Sequence, residues 1–276
     1  MVPKWYMVPK GDTFRIFRRE FCPTDVLRVI FSHHPLWNRM EEILMHRSKW
    51  PLDEISEEDR ACDLIEALTF GNHKGTSSNP EVLKKLINKD IKYSYSLPIP
   101  LDSVTKIKGL EMAPMNIMEQ NTIDEHGRII PKDRLTHDQS FIFHGSNTTV
   151  NSRLDKSALI PCQFGWVIRR LINWAVAARR KHPKQRIFAT KVDFKSAFRR
   201  CHLHHHTAVQ SCTQLPDMNL ALLALRLTFG GAACPFEWSI ISEMICDLAT
   251  AIAHDEDWDP HELNSPSQHL ILPPEF

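Results

Sequence analysis

The chain has 276 residues, with 34 Lys or Arg against 33 Asp or Glu and a formal net charge of +1. Its 42% hydrophobic and 24% charged residues suit a chain that buries a core, which excludes a wholly disordered polymer and a collagen-like repeat. The longest apolar run, Leu220 to Leu225, is far below the ~18 residues a membrane helix needs, so no membrane partner is expected. Met1 to Lys10 lacks the apolar stretch of a secretory signal. The seven cysteines are widely spaced with no C-x-x-C pair and read as reduced thiols, so an intracellular setting, cytoplasmic or nuclear, is expected.

Met-Val-Pro-Lys occurs at 1–4 and again at 7–10, too short for a structural repeat. Asp53 to Leu68 is acidic and helix-compatible, with Ile55, Leu64, Ile65 and Leu68 as its apolar positions. Gly71 to Ser78 reads as a loop by composition, and Glu81 to Ile87 as a short helix. Pro98, Pro100 and Pro114 predict an extended connector from Ser96 to Pro114, because proline cannot continue a helix or a central strand. Met115 to Ile123, the turn Asp124-Glu125-His126-Gly127 and Arg128 to Asp138 predict a hairpin. Gly145-Ser146-Asn147 marks another loop.

Trp166 to Lys181 predicts an amphipathic helix, with Val167, Leu171, Trp174, Ala175 and Ala178 on one face and Pro183 ending it. Arg186 to Asp193 and Leu220 to Phe229 read as strands. Pro235 opens a helix in which Phe236, Ile240, Ile241, Met244, Ile245, Leu248 and Ile252 recur at 3.6-residue spacing. In Cys201 to His206, strand alternation would put His202, His204 and His206 on one face as a metal candidate; the plainer reading is a histidine-rich strand end or turn.

Charge is unevenly placed. Trp166 to Arg200 carries eleven basic residues and a single acid, Asp193, while Glu237 to Phe276 carries nine acids and no Lys or Arg. A basic tract is the footprint expected for phosphate backbones, or simply a solvated helix face. An aspartate ending an apolar strand among cations is a candidate ligand for Mg²⁺, which prefers carboxylates and bridges to phosphates; capping of the next turn is the structural alternative.

Asp193-Phe194-Lys195-Ser196-Ala197-Phe198 resembles motif A of reverse transcriptases, with its Asp-x-x-x-Ala-Phe pattern. Phe229 to Trp238 resembles their motif B, in which Gly230, Pro235 and Trp238 fall at the family's spacing. Upstream, Pro131 to Ser140, with Arg134 four residues before Asp138, looks like the fingers hairpin, and Gly145 to Asn151 looks like the family's S-x-N turn. The wording is closest to a retrotransposon-derived polymerase and covers about residues 110–255.

The resemblance implies an α+β fold: right-hand polymerase fingers and a partial palm over 110–276, preceded by a mainly helical N-terminal region, 1–109. It implies Asp193 as the catalytic carboxylate and metal ligand, with the backbone carbonyl of Phe194 as a further metal contact. Mg²⁺ or Mn²⁺ is the implied cofactor, in two-metal nucleotidyl transfer. Lys132 and Arg134 would hold the triphosphate of a dNTP, and Phe198 would lie under the sugar and disfavour a 2′-hydroxyl. Phe229 and Gly230 would line the nucleotide site, where a side chain at 230 would block close approach. Packing in the core is the alternative role for Phe198 and Trp238. The implied partners are an RNA template and a DNA primer, with other element-encoded regions.

The family's third motif is a hairpin with two adjacent aspartates. No Asp-Asp pair occurs in the chain, and Asp255 to Asp259 lacks the framing apolar strands. With Asp193 alone, metals should bind weakly, and the chain is expected to be a truncated piece with little or no activity. A bare sheet edge where that hairpin would pair is expected to be an aggregation risk. The alternative is a non-catalytic nucleic-acid-binding remnant.

Overall fold

The structure is a computed structural model, in which residues 21, 23–124, 126–162, 167–187, 194, 196–253 and 255 are described. It is an α+β arrangement of helices around two antiparallel sheets. The N-terminal region supplies α1 (Thr24–Phe31), α2 (Trp37–His46), α3 (Glu57–Phe70), α4 (Lys74–Ser77) and α5 (Pro80–Lys92). α3 starts where the Ser56 side chain accepts from the Asp59 amide, and Glu57, Glu58 and Asp59 fill its first turn, where the helix dipole favours anions. The stretch 71–78, expected as loop throughout, contains the single turn α4, and the helix expected at 81–87 runs as α5 from Pro80 to Lys92.

The connector expected over 96–114 is instead β1 (Ser96–Pro100) followed by a 3₁₀ turn, Leu101–Lys106. Two prolines are tolerated because β1 is an edge strand, in the order β1-β5-β4. β5 (Leu220–Ala224) pairs with β1 on one side and β4 (Cys212–Leu215) on the other. The 1–109 region therefore shares a sheet with residues from beyond 200. β5 is shorter than the expected Leu220–Phe229, because the chain then leaves the sheet and Leu227 N donates to Cys201 O at 3.1 Å.

The hairpin appears as β2 (Met115–Ile123) and β3 (Ile129–His137), in register from Met115 opposite His137 to Ile123 opposite Ile129. Its turn is closed by Asp124, whose Oδ1 accepts from the His126 and Arg128 amides, and by Gly127 at φ +77°. Both edges of the β1-β5-β4 sheet are guarded, while most of the strand expected to end at Asp193, beside which a bare edge was expected, lies outside the described residues. β1 carries its prolines, and the outer side of β4 is covered by 111–113, with Cys212 N donating to Glu111 O and Ala113 N to Cys212 O.

α8 (Cys234–Ala253) buries Trp238, Ile240, Ile241 and Met244 against Trp37, Met40, Ile43 and Trp50. Pro235 sits in its first turn, as expected. Buried Glu237 on α8 ties the two regions together, accepting from Arg39 at 2.7 Å and from Ser48 Oγ at 2.9 Å. α6 (Val167–Lys181) is a regular helix, but its apolar stripe is not packed as the periodicity suggested: Leu171 is 54% and Trp174 51% exposed. α7 is one short helix, His205–Val209. Arg186 and Ile187 lie outside any regular element, and the rest of the strand expected to end at Asp193 lies outside the described residues.

Candidate functional site

Four sequence pieces meet at one seam. The end of β3 pairs with the segment after β5, where His137 N donates to Phe229 O at 2.8 Å. Gly230, at φ +127°, lies so close to β3 that a Cβ would stand 1.8 Å from His137 O. Contact with the hairpin backbone by itself requires a glycine at this position. Asn151 then locks the seam: its Nδ2 donates to Gly230 O at 2.7 Å and to Ser140 Oγ at 2.8 Å, and its Oδ1 accepts from Ala232 N at 2.7 Å.

Aromatic rings line the same place. Phe198, in the 3₁₀ turn Phe198–Arg200, packs on Phe229 with ring centres 5.4 Å apart. The Arg134 guanidinium lies over the Phe229 ring at 5.3 Å, and its buried Nε has no hydrogen-bond partner among the described residues. Lys132, two residues earlier on β3 and on the same face, is exposed. Phe194 packs edge-on to Trp238 at 5.8 Å. The structure thus brings Arg134, Phe198, Phe229 and Gly230 together, places Lys132 further out on the same hairpin face, and gives Trp238 a core role. Asp193 lies outside the described residues.

Asp193 is the single acid between Trp166 and Arg200, and among the described residues no group of three acids converges.

The basic tract divides. Arg199 is buried, pairs with Asp90 at 2.9 Å and lies over Tyr95, so it belongs to the interior rather than to a phosphate-binding surface. Arg169, Arg170, Arg180 and Lys181 on α6 are exposed, and no acid occurs from 167 to 187. Sequence reasoning placed Asn151 in a motif but missed its clamp. It also missed the buried Arg60–Glu111–Arg153 cluster, which no local pattern signals.

His137 is fully buried with both ring nitrogens unpartnered among the described residues, and burial, with Arg199 nearby, holds its imidazole down to about 3. Burial and the Arg226 guanidinium, 2.7 Å from its Nδ1, do the same for His202. An unfolded histidine binds its proton near pH 6.5, the folded ones only near 3. Their contribution is complete above pH 6.5 and is lost as pH falls toward 3. Denaturant midpoints should decline across that window, and His137→Leu should flatten the decline relative to wild type.

No family model, no curated protein and no solved structure matches the chain. Among the described residues no helix is long and apolar enough to cross a membrane.

Proposed function

We propose that the chain is a reverse transcriptase-like domain, fingers and part of a palm, related to RNA-templated DNA synthesis and inactive on its own. What supports the reading is the seam: Arg134, Asn151, Phe198 and Gly230, taken from four separate motif-like pieces, meet at one junction. In this reading Arg134, whose guanidinium lies over the Phe229 ring, and exposed Lys132 face a nucleotide triphosphate. Phe198 lies beside Phe229 where a sugar would rest. Asp193 and the Phe194 carbonyl would hold Mg²⁺ or Mn²⁺, weakly, because no Asp-Asp pair is present to complete the carboxylates.

Primer extension on an RNA template with dNTPs and Mg²⁺ or Mn²⁺ tests this. No extension is expected from the chain alone. Extension that Asp193→Asn abolishes would refute the inactivity while keeping the polymerase reading; extension unaffected by that change would refute the role of Asp193.

A second reading, a non-catalytic nucleic-acid-binding remnant, is favoured by the exposed cations of α6. Affinity for an RNA–DNA hybrid should then fall steeply with salt. Replacing Arg169, Arg170 and Arg180 by glutamine should flatten the log–log slope by about 2 to 3, each phosphate contact accounting for somewhat under one. An unchanged slope would leave α6 as an ordinary solvated helix.

A further inference from the structure

We propose that His204, His205 and His206 form a surface site for one zinc-like divalent cation, held by three imidazoles with the remaining position open to water. The inference is independent of the polymerase reading.

Three observations carry it. The ligand nitrogens of the three side chains all lie within 4.8 Å of one another. Their rings are already gathered, with centres 4.1 Å apart for His204 and His205 and 4.3 Å for His205 and His206. Among the described residues nothing hydrogen-bonds to the imidazoles of His205 and His206, so no partner competes for their lone pairs. His202 is not a fourth ligand, because its Nδ1 faces the Arg226 guanidinium at 2.7 Å.

The alternation of a strand would have selected His202, His204 and His206. The chain instead turns at His204 into α7, and that turn gathers three consecutive residues. Tetrahedral zinc with nitrogens at 2.0–2.1 Å needs them about 3.3 Å apart, a small closure for the exposed rings of His205 and His206, which turn about χ1 and χ2 toward half-buried His204.

The charge around the site selects the kind of cation. Arg47 and Lys49 lie within electrostatic reach of His204, whose Nδ1 accepts from the His206 amide at 3.4 Å. The same two cations oppose any ion held by charge alone. A hard ion such as Mg²⁺, which seeks carboxylate and water oxygens, gains nothing here, whereas Zn²⁺, Ni²⁺ or Cu²⁺ gains directional bonds to nitrogen.

The test is titration of the full chain with Co²⁺, read by its visible absorption, and with Zn²⁺, read by calorimetry, with Mg²⁺ in parallel. Saturation at one equivalent is expected for Co²⁺ and Zn²⁺, with no response to Mg²⁺. The double variant His205→Ala, His206→Ala should weaken binding by about tenfold or more. The control His33→Ala, His182→Ala, which removes histidines elsewhere, should leave it unchanged. Footprinting with diethyl pyrocarbonate, read residue by residue on wild type, covers the case of a poorly folded variant: Zn²⁺ should protect His204, His205 and His206. Binding that survives the double variant, binding that does not saturate at one equivalent, or absence of protection would each overturn the proposal.

Discussion

Gly230→Ala is expected to lower stability by about 2–4 kcal/mol, far more than a surface substitution costs. Two effects add. The residue holds φ at +127°, where an L side chain is strained, and its new Cβ would meet His137 O at 1.8 Å and His137 C at 2.9 Å. The obstructing atoms are backbone, so no rotamer change relieves the contact. Relief requires the end of β3 to move, which breaks the bond from His137 N to Phe229 O and pulls Gly230 O away from Asn151. Gly127→Ala is the matched control: φ is also positive, at +77°, but nothing lies within 4 Å of the added methyl, so only about 1–2 kcal/mol of backbone strain is expected. Urea unfolding of both variants separates strain from collision. Equal losses would mean that the hairpin can withdraw from Gly230 freely, and the seam would not be the rigid junction on which the polymerase reading rests.

The seam also marks how far the sequence could be read. The hairpin was legible because its signal is local: a turn with Gly127, in which the Asp124 carboxylate accepts from the His126 and Arg128 amides. The motif-like pieces were legible one at a time, but their meeting depends on Asn151 reaching Gly230 and Ala232, about eighty residues away, and no short-range pattern encodes such contacts. Periodicity located α6 and α8 equally well, yet the first turns its apolar stripe to solvent and the second buries it, since period reports a face and not what covers it. Charge counting failed at Arg199 for the same reason: Asp90, which takes it inside, is distant in sequence. At the histidine cluster the residue types were visible, but the change from strand to helix at His204 altered which three converge.

Glu111→Ala is expected to cost about 3–5 kcal/mol, because it removes the carboxylate shared by two buried cations and leaves Arg60 only the exposed Glu54 at 3.2 Å and Glu57 at 3.7 Å. Glu111 bonds Arg60 through one carboxylate oxygen and Arg153 through the other, and those arginine side chains are only 5% and 4% exposed. Burial pushes the Glu111 carboxyl upward, against the pull of both guanidiniums. Arg153 also donates to Asp53 O at 2.7 Å, and Glu111 N to Val209 O at 3.0 Å; the cluster therefore ties the segment before α3 to the approach to β4. Removing a single partner and removing all three should differ in kind. Arg60→Met, Glu111→Leu and Arg153→Met together should recover much of the loss, since replacing the whole cluster leaves no unpaired charge. A single Glu111→Ala loss below about 1 kcal/mol would place the cluster with weak surface pairs and would move the joint between the two regions to Glu237, Arg39 and Ser48.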